Sequence, residues 1–108
     1  MIGIDFYKTI TTYPKYFRNL AAMYIQSGYP VYIISAVHPK NVAKLREEVK
    51  RSKVPYTHLE VVPFIDVEDI TQLKLYACQR LGVKFMYDDM DSVCQLLLKE
   101  GIGTFQVK

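Results

Sequence analysis

The chain has 108 residues, half of them hydrophobic and 23% charged, with 14 basic and 11 acidic residues giving a net charge of +3. That length fits one domain with one hydrophobic core, and the apolar content excludes a disordered chain, which could not offset the entropy lost on ordering. No run approaches the roughly 20 unbroken apolar residues of a membrane span. Met1-Ile2-Gly3-Ile4 meets Asp5 at once, with no basic-then-apolar leader, so the expected compartment is the cytoplasm. The basic residues are spread along the sequence instead of blocked, so nucleic acid is not demanded as a partner. Cys78 and Cys94 lack CxxC spacing, which argues against zinc or a redox pair and for two buried free thiols.

Ile2–Phe6 reads as a short buried strand that passes through an acid, Asp5. A polar stretch, Lys8–Pro14, precedes a helical pattern. Tyr16, Leu20, Met23 and Tyr24 repeat at helical spacing, Phe17 and Ala21 widen the stripe, and Gly28 and Pro30 end it. Val31–Ser35 is apolar up to its final serine, as strands covered on both faces are. Pro39 suits the first turn of a second helix, whose buried stripe is Val42, Leu45 and Val49. His58–Val62 is the third strand and stops at Pro63. Asp69 with Gln72 has the spacing of a reciprocal cap for a third helix, with Ile70, Leu73, Ala77 and Leu81 on its apolar face and Gly82 at its end. Val83–Tyr87 is the fourth strand and runs straight into Asp88-Asp89. Ser92 is placed to cap a fourth helix striped by Val93, Leu96 and Leu97, and Ile102–Val107 closes the chain as a fifth strand.

Strands alternating with helices predict an α/β fold: a three-layer, Rossmann-like parallel sheet of about five strands with helices on both faces. Ligands of such sheets bind beyond the carboxyl ends of the strands. Asp5, Ser35, Asp88 and Asp89 all fall at or just past such an end, so distant segments are expected to meet on one rim. Carboxylates brought close together repel, and a bound cation relieves them; an all-oxygen set favours Mg²⁺, an ion of phosphate chemistry. Lys74 on the third helix, or Lys84 at the start of the fourth strand, could balance the cluster and hold a phosphate oxygen. Each residue also has a plainer reading: Ser35 as a turn residue, Lys74 as a solvated helix lysine, and Asp88-Asp89 as helix caps. His38 and His58 have no partner pattern.

These residues resemble, in order and over the whole chain, the four motifs of the haloacid dehalogenase-like superfamily. The motif DxDxT is approximated by Asp5-Phe6-Tyr7-Lys8-Thr9, the Ser or Thr ending an apolar strand by Ser35, the lysine by Lys74, and the acidic pair by Asp88-Asp89. The resemblance implies a single domain, residues 1–108, with no cap and an open site suited to bulky or macromolecular substrates. It implies a Mg²⁺-dependent phosphomonoesterase in which Asp5 is the nucleophile. Ser35 and Lys74 would steady the phosphoryl group, with Lys8 and Thr9 beside it. Asp5, Asp88, Asp89 and the backbone carbonyl of Tyr7 would hold the metal. The departure is Tyr7, which stands where the family has its second Asp, the general acid and base. A phenol with a pKa of about 10 is a poor base at neutral pH, and losing that group costs about 10² to 10⁴ in rate. Lys8 replaces the usual glycine. Two alternatives follow: a catalytically inactive binding module on the same frame, or dehalogenase-type chemistry, whose members carry Tyr at this position but enclose their substrate under a large cap. A phosphorylation-receiver domain fits less well, because Val61-Val62-Pro63 stands where its phosphorylated acid would be.

Overall fold

The computed structural model describes all 108 residues, with helices packed on a five-stranded sheet. The elements are β1 (Ile2–Ile4), α1 (Pro14–Gln26), β2 (Val31–Val37), α2 (Val42–Ser52), β3 (His58–Pro63), α3 (Ile70–Leu81), β4 (Phe85–Asp88), α4 (Asp91–Lys99) and β5 (Gly103–Gln106). Every strand pair is parallel, and the order across the sheet is β3-β2-β1-β4-β5. The chain starts at the sheet's centre, builds outward on one side, then crosses back to build the other. The first and fourth strands are therefore neighbours, with Ile4 opposite Tyr87, and Asp5 comes beside Asp88.

Alternation along the strands divides the core into two layers. Ile2, Ile4, Val31 and Ile33 face α1 and α2, where they meet Phe17, Ala21, Leu45 and Val49. Ile34 and Met86 face α3 and α4 with Leu75, Cys78, Val93 and Leu97. Gly3 is needed for closeness: a Cβ there would sit 2.7 Å from Met86 Sδ and 3.0 Å from Ile34 Cδ1. α3 ends at Gly82, whose φ of 72° a side chain would resist.

Several sequence expectations need correction. The buried face of α1 is Phe17 and Ala21, while Tyr16 and Met23 are exposed; the edge-to-face contact of Phe17 with Tyr87, at 5.6 Å between centroids, fixes that rotation. β1 ends at Ile4, two residues early, because the chain leaves the sheet into a wide turn, Phe6–Ile10. β2 runs two residues longer, to Val37. Asp69 makes no side-chain cap, since a tight turn over Val67–Asp69 already puts its backbone in the helical region. Ser92 lies inside α4, and its hydroxyl meets that of Thr71 at 3.0 Å. No helix is long and apolar enough to cross a membrane.

Candidate functional site

The carboxyl rim of β1 and β4 gathers the ionisable residues. The amide of Asp5 donates to the Tyr87 carbonyl at 2.9 Å, which locks the start of the turn against β4. Lys74, only 3% exposed, reaches in from α3. Its ammonium donates to Asp5 Oδ1 at 2.9 Å and to Asp88 Oδ2 at 2.7 Å. Asp88 Oδ1 accepts from the Met90 amide at 2.9 Å, so Asp88 also shapes the entry to α4. Thr9 is fully buried and donates to Asp5 Oδ2 at 3.4 Å. One oxygen each from Asp5, Asp88 and Asp89 lies within 4.8 Å of the others. Lys84 is at the opposite end of β4, its amide bonded to the Met1 carbonyl, so the site lysine is Lys74.

The charges are unbalanced: three carboxylates face one buried ammonium. Burial pushes the Asp5 carboxyl up, to about 8; the Lys74 charge opposes this, and the neighbouring Asp88 and Asp89 add to it. Burial pulls Lys74 down, but Asp5 and Asp88 outweigh it and hold the ammonium above its usual range. The donor set is oxygen only, which suits a hard divalent cation such as Mg²⁺, and the excess negative charge is what such an ion would neutralise. Asp5 and Asp89 line the cleft; Asp88 sits behind them with both oxygens hydrogen-bonded.

That cleft holds about 200 Å³ and is walled by Asp5, Tyr7, Lys8, Ala36, Ile70, Lys74, Asp89 and Met90. Tyr7 contributes to the wall, yet its hydroxyl donates to Glu48 Oε1 on α2 at 3.2 Å. Burial and the Glu48 carboxylate raise the phenol further above its usual value. Lys8 is exposed at the cleft with φ 63° and ψ 1°, the left-handed backbone that glycine adopts freely. Ser35 is buried with no hydrogen-bond partner for its hydroxyl, and its neighbour Ala36 lines the cleft in its place. Thr9 stands behind Asp5 and orients it, outside the cleft wall. Neither histidine lines the cleft, and burial pushes the Cys78 and Cys94 thiols up to about 12 and about 11, where they are inert.

The chain matches no protein-family model and no curated protein. Its fold does recur among solved structures. It is similar to a chain of the Pnkp1/Rnl/Hen1 complex, with a TM-score of 0.79 and 16% identity over 98% of this chain and 45% of that one. It is similar also to a chain of the Pnkp1/Rnl/Hen1 RNA repair complex, with a TM-score of 0.79, 16% identity, and coverage of 98% and 41%. The chain thus spans less than half the length of either neighbour. At that identity the likeness is one of fold.

One residue that touches the site carries no signal in the sequence. Glu48 lies on α2, and no spacing links it to Tyr7, 41 positions away. A larger cleft of about 480 Å³ lies between α1, β4 and β5, lined by Tyr13, Tyr16, Phe17, Tyr87, Phe105, Gln106 and Val107. It carries no acid and no basic residue.

Proposed function

We propose that the chain is a haloacid dehalogenase-like hydrolase, a Mg²⁺-dependent phosphomonoesterase that works through Asp5 and is slowed by Tyr7. The observation that supports this most is the approach of Asp5, Asp88 and Asp89 to within 4.8 Å around buried Lys74. Residues from β1, β4 and α3 have no reason to bury their charges together for packing alone, since desolvating each costs several kcal/mol, by order of magnitude. When bound at Asp5 and Asp89, Mg²⁺ would supply charge neutralisation for a phosphate monoester.

The chain's own residues supply the rest. Thr9 and Lys74 hold the Asp5 carboxylate in one orientation. In its ionised form one of its oxygens attacks phosphorus, the bond to the ester oxygen breaks, and the leaving oxygen takes a proton from water as the aspartyl-phosphate forms. Lys74 balances the charge that gathers there, and Lys8 presents a further cation at the mouth. Water then cleaves the acyl phosphate. Tyr7 serves neither proton transfer, because its hydroxyl proton is committed to Glu48. That same hydrogen bond favours the second reading, a frame that binds phosphate and metal without turning over.

Release of phosphate from a panel of phosphomonoesters, with and without Mg²⁺, tests the first reading. RNA with a terminal phosphate belongs in the panel because the neighbours come from an RNA repair complex. Slow Mg²⁺-dependent release that disappears in Asp5→Asn supports it, and release indifferent to that change refutes it. Tyr7→Asp with Lys8→Gly separates the readings: a gain of about 10² or more identifies a working frame lacking its proton carrier. No gain, with Mg²⁺ binding still detected calorimetrically, identifies a binding module.

A further inference from the structure

The two edges of the sheet are treated differently by the sequence. β3 is guarded in the ways edge strands commonly are. It carries His58 and Glu60, paired at 2.9 Å, Glu60 also meets Arg80, and Pro63 ends it. β5, at the other edge, has none of these: Gly101-Ile102-Gly103-Thr104-Phe105-Gln106-Val107 contains no charge and no proline. The amides of Gly103 and Val107 donate to Lys84 and Asp88 carbonyls at 3.0 and 2.9 Å. Odd-numbered residues therefore bond inward to β4, and the backbone groups of Thr104 and Gln106 face outward with no strand beside them. Phe85 and Phe105, stacked at 6.4 Å, are 47% and 49% exposed on one face of this edge.

We propose that the chain forms a two-fold dimer by antiparallel pairing of β5 with β5 of a second copy, Thr104 opposite Thr104. Hydrogen-bond parity supports this register, because Thr104 turns both its N–H and its C=O outward and can exchange both bonds with its twin. The Gln106 N–H then reaches the Ile102 carbonyl of the second copy. Phe105 comes opposite Gly103 of that copy, over which that copy's own Phe85 ring lies, and the exposed rings of both copies join in one band. Charge fits the same register. The uncharged strand meets itself without repulsion, and Lys108 returns toward the end of α4, where Glu100 caps the helix next to Lys99 and the helix dipole is negative. A second copy is thus the occupant that this edge matches in hydrogen bonds, shape and charge.

Sedimentation velocity over a range of concentrations should show a monomer–dimer equilibrium. Thr104→Cys should form a covalent dimer on mild oxidation, because directly opposed residues of a hydrogen-bonded pair lie about 5.5 Å apart at Cα, within disulfide reach. Gln106→Cys, opposite Ile102, should not. The native thiols are buried and do not confuse the result. Thr104→Pro deletes an outward N–H and none of the bonds to β4, so it should give a monomer with an unchanged circular dichroism spectrum. Should that variant misfold, charge reversal decides. Glu100→Lys or Lys108→Glu alone should weaken association roughly five-fold, two exposed pairs being involved, and the double reversal should restore it. A chain that stays monomeric at high micromolar concentration overturns the proposal. So does a dimer in which Gln106→Cys cross-links as readily as Thr104→Cys, or one that both single reversals leave unchanged. None of these outcomes bears on phosphatase activity, so the two proposals fail separately.

Discussion

Replacing Lys74 by methionine keeps the length of the side chain and removes its charge. The ammonium is bonded at 2.9 and 2.7 Å to two carboxylates that are themselves buried. Its loss leaves Asp5 and Asp88 facing each other with Asp89 beside them and no cation among them. Breaking a buried pair by removing one partner costs about 3–5 kcal/mol. For a domain of this size each kcal/mol lowers the melting temperature by about 5 °C, so Lys74→Met should melt about 15–25 °C below the unaltered chain at neutral pH. The loss should be greatest above about pH 8, where Asp5 is ionised, and shrink as pH falls below it, because a protonated Asp5 no longer needs a counter-charge. Asp5→Asn, which removes one of the competing acids, should cost far less, and the double variant should melt above Lys74→Met alone. The assay is calorimetry or thermal circular dichroism on the four proteins, each with a chelator and then with millimolar Mg²⁺. Magnesium should raise the melting temperature of Lys74→Met, because an ion that binds only the folded state stabilises it by mass action. A drop of less than about 5 °C, or a double variant no better than Lys74→Met, would refute the claim that this lysine is what permits the acids to be buried.

Three further outcomes are expected. Asp5 is an acid whose folded pKa is raised from 3.8 to about 8, so between those values the folded protein holds a proton that the unfolded chain has released. Its contribution to stability is therefore greatest below about pH 4 and declines as pH rises to about 8, while Mg²⁺ affinity rises over the same interval; calorimetric titration at several pH values checks both. Tyr7→Phe should leave phosphate release unchanged and cost no more than about 1.5 kcal/mol in urea unfolding, because its hydroxyl contributes one hydrogen bond to Glu48 and no proton to the reaction. Gly3→Ala should cost about 1–3 kcal/mol by the same measurement, since the new methyl meets fully buried Met86 and Ile34.

Much of the architecture is legible in the sequence because two physical signals agree. Apolar runs of strand length and helical stripes alternate without exception, and each helix is followed by a glycine or a polar turn. What the stripes leave open is rotation. On α1 the sequence offers two adjacent aromatics, Tyr16 and Phe17, and periodicity cannot say which one turns inward. The choice is made by Tyr87 on β4, which packs edge-to-face on Phe17, a partner 70 positions away. The missed cap on Asp69 has a similar origin. The spacing to Gln72 is right for a reciprocal cap, but the tight turn before α3 already gives Asp69 a helical backbone, and its side chain never reaches a free amide.

The site divides along the same line. Acids at strand ends can be placed on one rim from topology alone, and Asp5, Asp88 and Asp89 do converge there. Lys74 is harder to read, because a lysine between Leu73 and Leu75 on a helix is ordinarily solvated, and only the burial of its two acidic partners makes its own burial tolerable. Tyr7 and Ser35 show where sequence order stops being informative. Both stand where the resemblance would place motif residues, yet the hydroxyl of one turns to α2 and that of the other is buried without a partner, with Ala36 in the cleft wall instead. The left-handed backbone at Lys8 belongs with them. Leaving β1 toward the site needs a residue at φ 63°, and this chain uses a lysine there despite the strain, which sets a cation at the mouth of an acidic cleft. A glycine would hold that turn more easily but would add no charge, so relief of the strain and supply of the cation are opposing demands on one position. Phosphate affinity that falls in Lys8→Gly while stability rises would show that the second demand prevailed.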